Sequence, residues 1–190
     1  MTAEGYKNAK PIGTGGFATV YEARQVKFNR QVALKVLNLG AEGTVDREAF
    51  HNECVTMGAL STHPNIVTIF DSGFTGDGLP YISMELCDGT LLDRIKQQKV
   101  VSPVEVAEIG AAVAKALSRA HSDGIVHADI KPQNIFFTEY GAPALGDFGI
   151  ASVASTRFGQ GVAGVSLHYA APELFNGDDP SVVSLSLIHI

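Results

Sequence analysis

Along the first 87 residues apolar and polar side chains mostly alternate, and turn signals break the alternation into short runs. Residues 6–13, 19–26 and 31–38 read as consecutive β-strands joined by Gly-rich or polar turns. Over residues 46–60 the period changes: Phe50, Cys54 and Met57 stand at i, i+4 and i+7, which predicts a helix with one apolar stripe. Residues 65–71 and 81–86 read as two more strands, so the first part is a sheet with a single helix.

After residue 87 the pattern turns helical. Ser102-Pro103-Val104-Glu105 has the form of a capping box with Pro at the first helical position. Ile109, Val113, Ala116, Leu117 and Ala120 carry an apolar face toward Gly124, which predicts a helix over 102–123. Short strands and polar loops follow, then a Gly-rich stretch over 157–164. Cys87-Asp88-Gly89 reads as the hinge between the parts. The expected class is α+β, with a β-rich part over 1–87 and a more helical part over 88–184.

Composition narrows the possibilities. A chain of 190 residues, 45% hydrophobic, can bury a core, so a disordered tail is excluded. A net charge of −6 without a long Lys/Arg run argues against nucleic acid as a partner. Cys54 and Cys87 have neither disulfide-framework nor zinc-ligand spacing, and a reducing cytoplasm is the simplest setting. The polar, Gly-rich start lacks a signal-peptide core, and no run approaches the roughly 18 apolar residues of a membrane span. This portion therefore reads as soluble and cytoplasmic, which leaves room for an anchor further along a longer chain.

Three segments carry chemistry. The first, Gly13-Thr14-Gly15-Gly16-Phe17-Ala18-Thr19-Val20, lies between two predicted strands. Glycine lets backbone N–H groups approach phosphate oxygens without a clashing Cβ, although such a loop alone is more often a bare turn. In Val32-Ala33-Leu34-Lys35 the period of two places Ala33 and Lys35 on one face and Val32, Leu34 and Val36 on the other. A lone strand Lys is ordinarily solvated; one that meets phosphates needs a carboxylate to hold it, and Glu53 on the predicted helix is the candidate. The third segment runs from His127-Ala128-Asp129-Ile130-Lys131-Pro132-Gln133-Asn134 through Ile135-Phe136-Phe137 to Asp147-Phe148-Gly149. Its carboxylate and amide oxygens are the ligands that hard Mg²⁺ prefers.

In this order and spacing the motifs resemble those of protein kinases, whose pattern joins a Gly-rich loop, V-A-I-K, H-R-D-L-x-x-x-N and D-F-G. The resemblance implies the two-lobed protein-kinase-like fold, with a complete β-rich N-lobe and a partial helical C-lobe. It further implies a bacterial Ser/Thr kinase that uses ATP and Mg²⁺ to phosphorylate a protein hydroxyl. Asp129 would orient the substrate hydroxyl and accept its proton, Lys131 would steady the γ-phosphate, and Asn134 and Asp147 would hold the metal. Lys35, braced by Glu53, would meet the α- and β-phosphates beneath Gly13, Gly15, Gly16 and Phe17. Ile12, Val20, Ala33 and Phe136 would sandwich adenine behind the gatekeeper Met84, with the backbone of Glu85 and Cys87 hydrogen-bonding the base. His127, Phe148, Met57 and Ile69 would stack as a hydrophobic spine, and Ser166 would sit in the substrate-docking loop before Ala171-Pro172-Glu173. Lys131 followed by Pro132 resembles Ser/Thr rather than Tyr kinases.

The chain departs from the pattern at three places. Ala18 stands where a third Gly is usual, and Ala128 where most regulated kinases have Arg. Because that Arg commonly pairs with an activation-loop phosphate, phosphorylation at Ser152, Ser155 or Thr156 is not expected to be required. The resemblance stops near Ser184: residues 185–190 read as a non-native tail, without the Asp that braces the catalytic loop in the family. Lacking the helices that follow, the underside of the 102–123 helix would expose apolar surface, so the chain alone is expected to be poorly soluble and nearly inactive. The rival readings are a pseudokinase serving as a nucleotide-binding scaffold and a small-molecule kinase of related fold.

Overall fold

A computed structural model describes residues 2–16, 18–39, 46–98 and 100–148. They divide into two compact units, one of Met1–Ser61 and Thr68–Leu86, the other of Thr62–Val67 and the chain from Cys87 onward.

The first unit is built on strands β1 (Tyr6–Thr14), β2 (Ala18–Gln25), β3 (Arg30–Leu37), β4 (Ile69–Phe74) and β5 (Pro80–Met84), with helix α1 (Arg47–Leu60). The sheet order is β1-β2-β3-β5-β4, every neighbouring pair antiparallel. Strand β1 is an edge, which tolerates Pro11 and two irregularities in its pairing with β2, one of them around Asn8 at φ +56°. Strand β3 is interior, and its Val32, Leu34 and Val36 pack with Ala3, Ala23 and Tyr81 in one apolar cluster. Helix α1 starts at Asp46, whose carboxylate accepts from the N–H groups of Glu48 (2.9 Å) and Ala49 (3.2 Å). Its buried stripe is Phe50, Cys54, Met57 and Leu60, and the Phe50 ring meets Phe74 edge-on at 5.5 Å.

The fourth strand differs from the sequence expectation. It runs Ile69–Phe74 rather than over 65–71. Asn65–Val67 belongs instead to the second unit, where Leu145 N–H donates to the Asn65 carbonyl (2.8 Å) and Val67 N–H to the Leu145 carbonyl (3.0 Å). The Asn65 amide adds a bond to the Pro143 carbonyl at 2.9 Å. A period of two identifies an extended run but not the sheet it joins.

The second unit contains β6 (Gly89–Thr90), α2 (Leu91–Gln98), α3 (Pro103–Ser122), a 3-10 turn (Pro132–Asn134), β7 (Ile135–Phe137) and β8 (Pro143–Leu145). Strands β6, β7 and β8 form a small antiparallel sheet. The Ser102 hydroxyl caps α3 by accepting from Glu105 N–H (3.2 Å), yet the Glu105 carboxylate turns to Arg94 of α2 at 2.8 Å. Arg94 in turn lies over the Phe137 ring, 3.3 Å from its centroid, so one guanidinium links α2, α3 and β7. On α3 the apolar face of Ile109, Val113, Ala116, Leu117 and Ala120 is buried, while Val104 and Val106 are exposed. No helix among the described residues is long and apolar enough to cross a membrane.

Candidate functional site

In the first unit the Gly-rich loop tops the β1–β2 hairpin and is closed by Gly15 N–H donating to the Ala18 carbonyl at 2.8 Å. Among the described residues a Cβ at Gly13 or Gly16 would meet nothing within 4 Å, and neither glycine has a positive φ. Neither packing nor turn geometry therefore demands glycine there. An outside group that approaches the backbone gives these positions a reason for lacking a side chain. Phe17 lies outside the described residues.

Strand β3 puts Lys35 opposite Val20 and Ile82 in the two neighbouring strands, and Ala33 opposite Glu22 and Met84. Lys35 is only 9% exposed. The two-residue period separates it from Val32, Leu34 and Val36, which fill the cluster on the other face. Glu53 is half-buried on α1, beside the buried Cys54 and one turn from Phe50 and Met57. Ile12 is exposed, Val20 and Met84 are half-buried, and Ala33 is buried. The Glu85 N–H donates to the Thr68 carbonyl at 2.9 Å.

In the second unit the third motif folds into one hydrogen-bonded assembly. The Asn134 side chain, 4% exposed, donates from Nδ2 to the Asp129 carbonyl (2.7 Å) and to Asp129 Oδ2 (3.1 Å). The Lys131 ammonium sits 2.6 Å from the same Oδ2. Asn134 N–H closes the 3-10 turn on the Lys131 carbonyl (2.9 Å), and Gly146 N–H donates to the Asn134 carbonyl (2.9 Å). The turn thereby joins the Asp129 loop to the strand that leads into Asp147. Because Nδ2 is engaged, the amide leaves Asn134 Oδ1 on the side away from Asp129.

His127 is buried at the base of this loop. Its Nδ1 accepts the Asp129 N–H at 3.3 Å, so Nε2 carries the ring proton and donates to the Gly146 carbonyl at 2.8 Å. Burial, opposed by the Gly146 carbonyl and the charges of Asp147 and Asp129, holds its pKa below the ordinary value. The Phe148 ring packs against it at 4.6 Å. Ala128 and Asp147 both adopt left-handed backbone, at φ +61° and +63°, the bends that turn the two Asp residues out of extended geometry.

Gly146 is a residue the motif reading passed over. A Cβ there would lie 2.7 Å from Phe136 Cε2 and 3.1 Å from Val67 Cγ2. Its signal in the sequence was an isolated Gly at the end of a strand run, the mark of a close approach. Asn65 was also missed, and only the tertiary pairing reveals it. Cys87 is half-buried after β5 and Phe136 half-buried on β7. Gly149, Ser166 and Ala171-Pro172-Glu173 lie outside the described residues.

As donors for a cation the loop offers oxygens from Asn134, Asp147 and Asp129. The described residues hold no group of three His, Cys, Asp or Glu side chains fit to enclose a metal. Carboxylate and amide oxygens are the donors that a hard cation such as Mg²⁺ prefers.

Comparisons with known proteins identify the family. The model of the protein kinase domain family matches residues 6–183. The chain is 38% identical over 182 residues to the serine/threonine-protein kinase PknK of Mycobacterium tuberculosis, covering 95% of this chain and 16% of that protein. It is 37% identical over 180 residues to PknD of the same species, covering 92% and 26%. Its structure is similar to the PknI kinase domain of M. tuberculosis, with a TM-score of 0.75 and 31% identity over 97% of this chain and 68% of that one. The chain thus spans about a quarter or less of the length of the two curated relatives.

Proposed function

Because this chain belongs to the protein kinase domain family, we propose that its parent protein is an ATP-dependent Ser/Thr kinase that transfers the γ-phosphoryl group of Mg-ATP to a protein hydroxyl. The observation that carries the reading is the pair of bonds from Asn134 Nδ2 to Asp129, with Lys131 on the same carboxylate oxygen. A carboxylate held through one oxygen in this way is suited to orient a hydroxyl in line with a phosphate.

Asp129 aligns the Ser or Thr hydroxyl and takes up its proton as the oxygen–phosphorus bond forms. Lys131, adjacent to that oxygen, supplies positive charge to the transferring group. Asn134 Oδ1 and the Asp147 carboxylate would hold Mg²⁺, which when bound would neutralise charge on the phosphates. Lys35 on β3 meets the α- and β-phosphates with Glu53 as its brace, and the loop of Gly13, Gly15 and Gly16 covers them. The Glu85 N–H already serves Thr68, so at that position the carbonyl contacts adenine, and Cys87 contributes N–H.

The test is Mg²⁺-dependent transfer from labelled ATP to Ser/Thr peptides by the full-length protein. Asp129→Ala and Asp147→Ala should each lower transfer at least a thousandfold while leaving the fold intact. A wild-type protein that binds ATP but never transfers phosphate would refute the enzyme and leave a nucleotide-binding scaffold.

A further inference from the structure

The turn between β2 and β3 does not share the acidic character of the chain. Residues 24–30 read Arg-Gln-Val-Lys-Phe-Asn-Arg, three cations with no carboxylate, in a protein of net charge −6. Two apolar side chains protrude at this tip, Phe28 at 60% exposure and Val26 at 47%. Asn29 turns the chain at φ +54°, and its Oδ1 accepts from Arg24 Nε at 2.9 Å, so the guanidinium is fixed at the base of the tip. Lys27 Nζ and Arg30 Cζ each lie 5.3 Å from the centre of the Phe28 ring. Arg30 is itself anchored, donating to Gln25 Oε1 at 2.7 Å and stacking on Phe70 at 3.4 Å. Lys7 stands opposite Arg24 in the β1–β2 pairing and adds a fourth cation, while Glu4 is the acidic residue of the incoming segment.

Phe28 is not part of the apolar cluster of the first unit, on which Tyr6, Tyr21, Phe70 and Leu79 pack instead. A rigid tip that presents an exposed aromatic ring within a collar of cations matches a surface with an anionic outer layer over an apolar interior. We propose that the β2–β3 tip docks on a membrane surface bearing anionic headgroups, Phe28 and Val26 entering the interface and Lys27, Arg24, Arg30 and Lys7 meeting the headgroups. A second copy of the chain fits less well, because a symmetric tip-to-tip contact would oppose like charges.

The experiment is cosedimentation of the full-length protein with vesicles of phosphatidylcholine alone or with added phosphatidylserine, at low and high salt, against a control without vesicles. Binding is expected only to the anionic vesicles, weakening as salt rises. Phe28→Ser and Lys27→Ala should each reduce the bound fraction several-fold, and the pair more than tenfold, with unchanged circular dichroism because both positions are solvent-facing. Equal binding to neutral vesicles, or binding indifferent to Phe28→Ser, would overturn the proposal. So would self-association in analytical ultracentrifugation that Phe28→Ser abolishes, since that assigns the tip to another copy.

Discussion

His127 donates its Nε2 proton to the Gly146 carbonyl, 2.8 Å away, and this bond ties the loop before Asp129 to the residue before Asp147. With Nδ1 accepting from Asp129 N–H, the ring serves both neighbours only while neutral. The two Asp residues proposed for catalysis and metal binding are thus positioned through one imidazole.

The pH dependence follows. Burial lowers the His127 pKa from 6.5, so below that pH the unfolded chain takes up a proton that the folded one resists. Stability from this group is complete above about 6.5 and is lost as the pH falls toward the lowered folded value, at up to about 1.4 kcal/mol per pH unit. Thermal melts from pH 8 to pH 5 should show this slope, and His127→Phe, which cannot titrate, should flatten it relative to wild type. Equal slopes in the two proteins would remove His127 as the source.

Gly146→Ala tests the close approach beside it. The new methyl carbon would lie 2.7 and 2.9 Å from the Phe136 ring carbons Cε2 and Cδ2, and the ring must move to admit it. A loss of about 1–3 kcal/mol in urea unfolding is expected, as for an overpacked core. Phe136→Leu in the same chain should recover part of the loss; no recovery would place the strain in the backbone instead.

The assembly around Asp129 was legible because its residues are close in sequence and chemically distinctive. Asp129, Lys131 and Asn134 lie within one short loop, and local geometry alone brings them together. The β3 faces were legible for the same reason, since alternation is a local property. What escaped depended on tertiary partners. Asn65–Val67 has the pattern of a strand, but which sheet it joins is decided by β8. Helix α2 was missing from the expected elements although Thr90 and Asp93 cap its start reciprocally, Thr90 N–H to Asp93 Oδ2 at 3.0 Å and Asp93 N–H to Thr90 Oγ1 at 3.2 Å. Its short length and polar composition hid that signature. The second half of the Ser102 capping box failed because Arg94 offered Glu105 a charged partner.

The N-terminal segment should matter to stability out of proportion to its length. Ala3 is buried in the cluster with Ala23, Val32, Leu34, Val36 and Tyr81, and the Thr2 carbonyl accepts from Gly76 N–H at 2.8 Å. Ala3→Asp places a carboxylate in that apolar cluster and should cost about 1–3 kcal/mol, read as a lower midpoint in urea. Glu4→Ala, at an exposed neighbour, should change little. Similar midpoints for all three proteins would show that the segment does not pack as described.

Ala128 bears on regulation. The position before Asp129 carries a methyl group in left-handed backbone, held by the His127 bond to Asp129 N–H rather than by any charge of its own. A phosphate placed on the following segment would find no cation at residue 128 to pair with, and a switch built on that ion pair has no receptor here. Ser152, Ser155 and Thr156, which lie outside the described residues, are the hydroxyls that such a switch would use. The full-length protein with all three replaced by alanine should therefore retain peptide phosphorylation within about twofold of wild type, well under the tenfold change that 1.4 kcal/mol would produce. Loss of activity in the triple variant, restored by Asp at any one of the three sites, would show that another cation reads the phosphate and would retire the argument from Ala128.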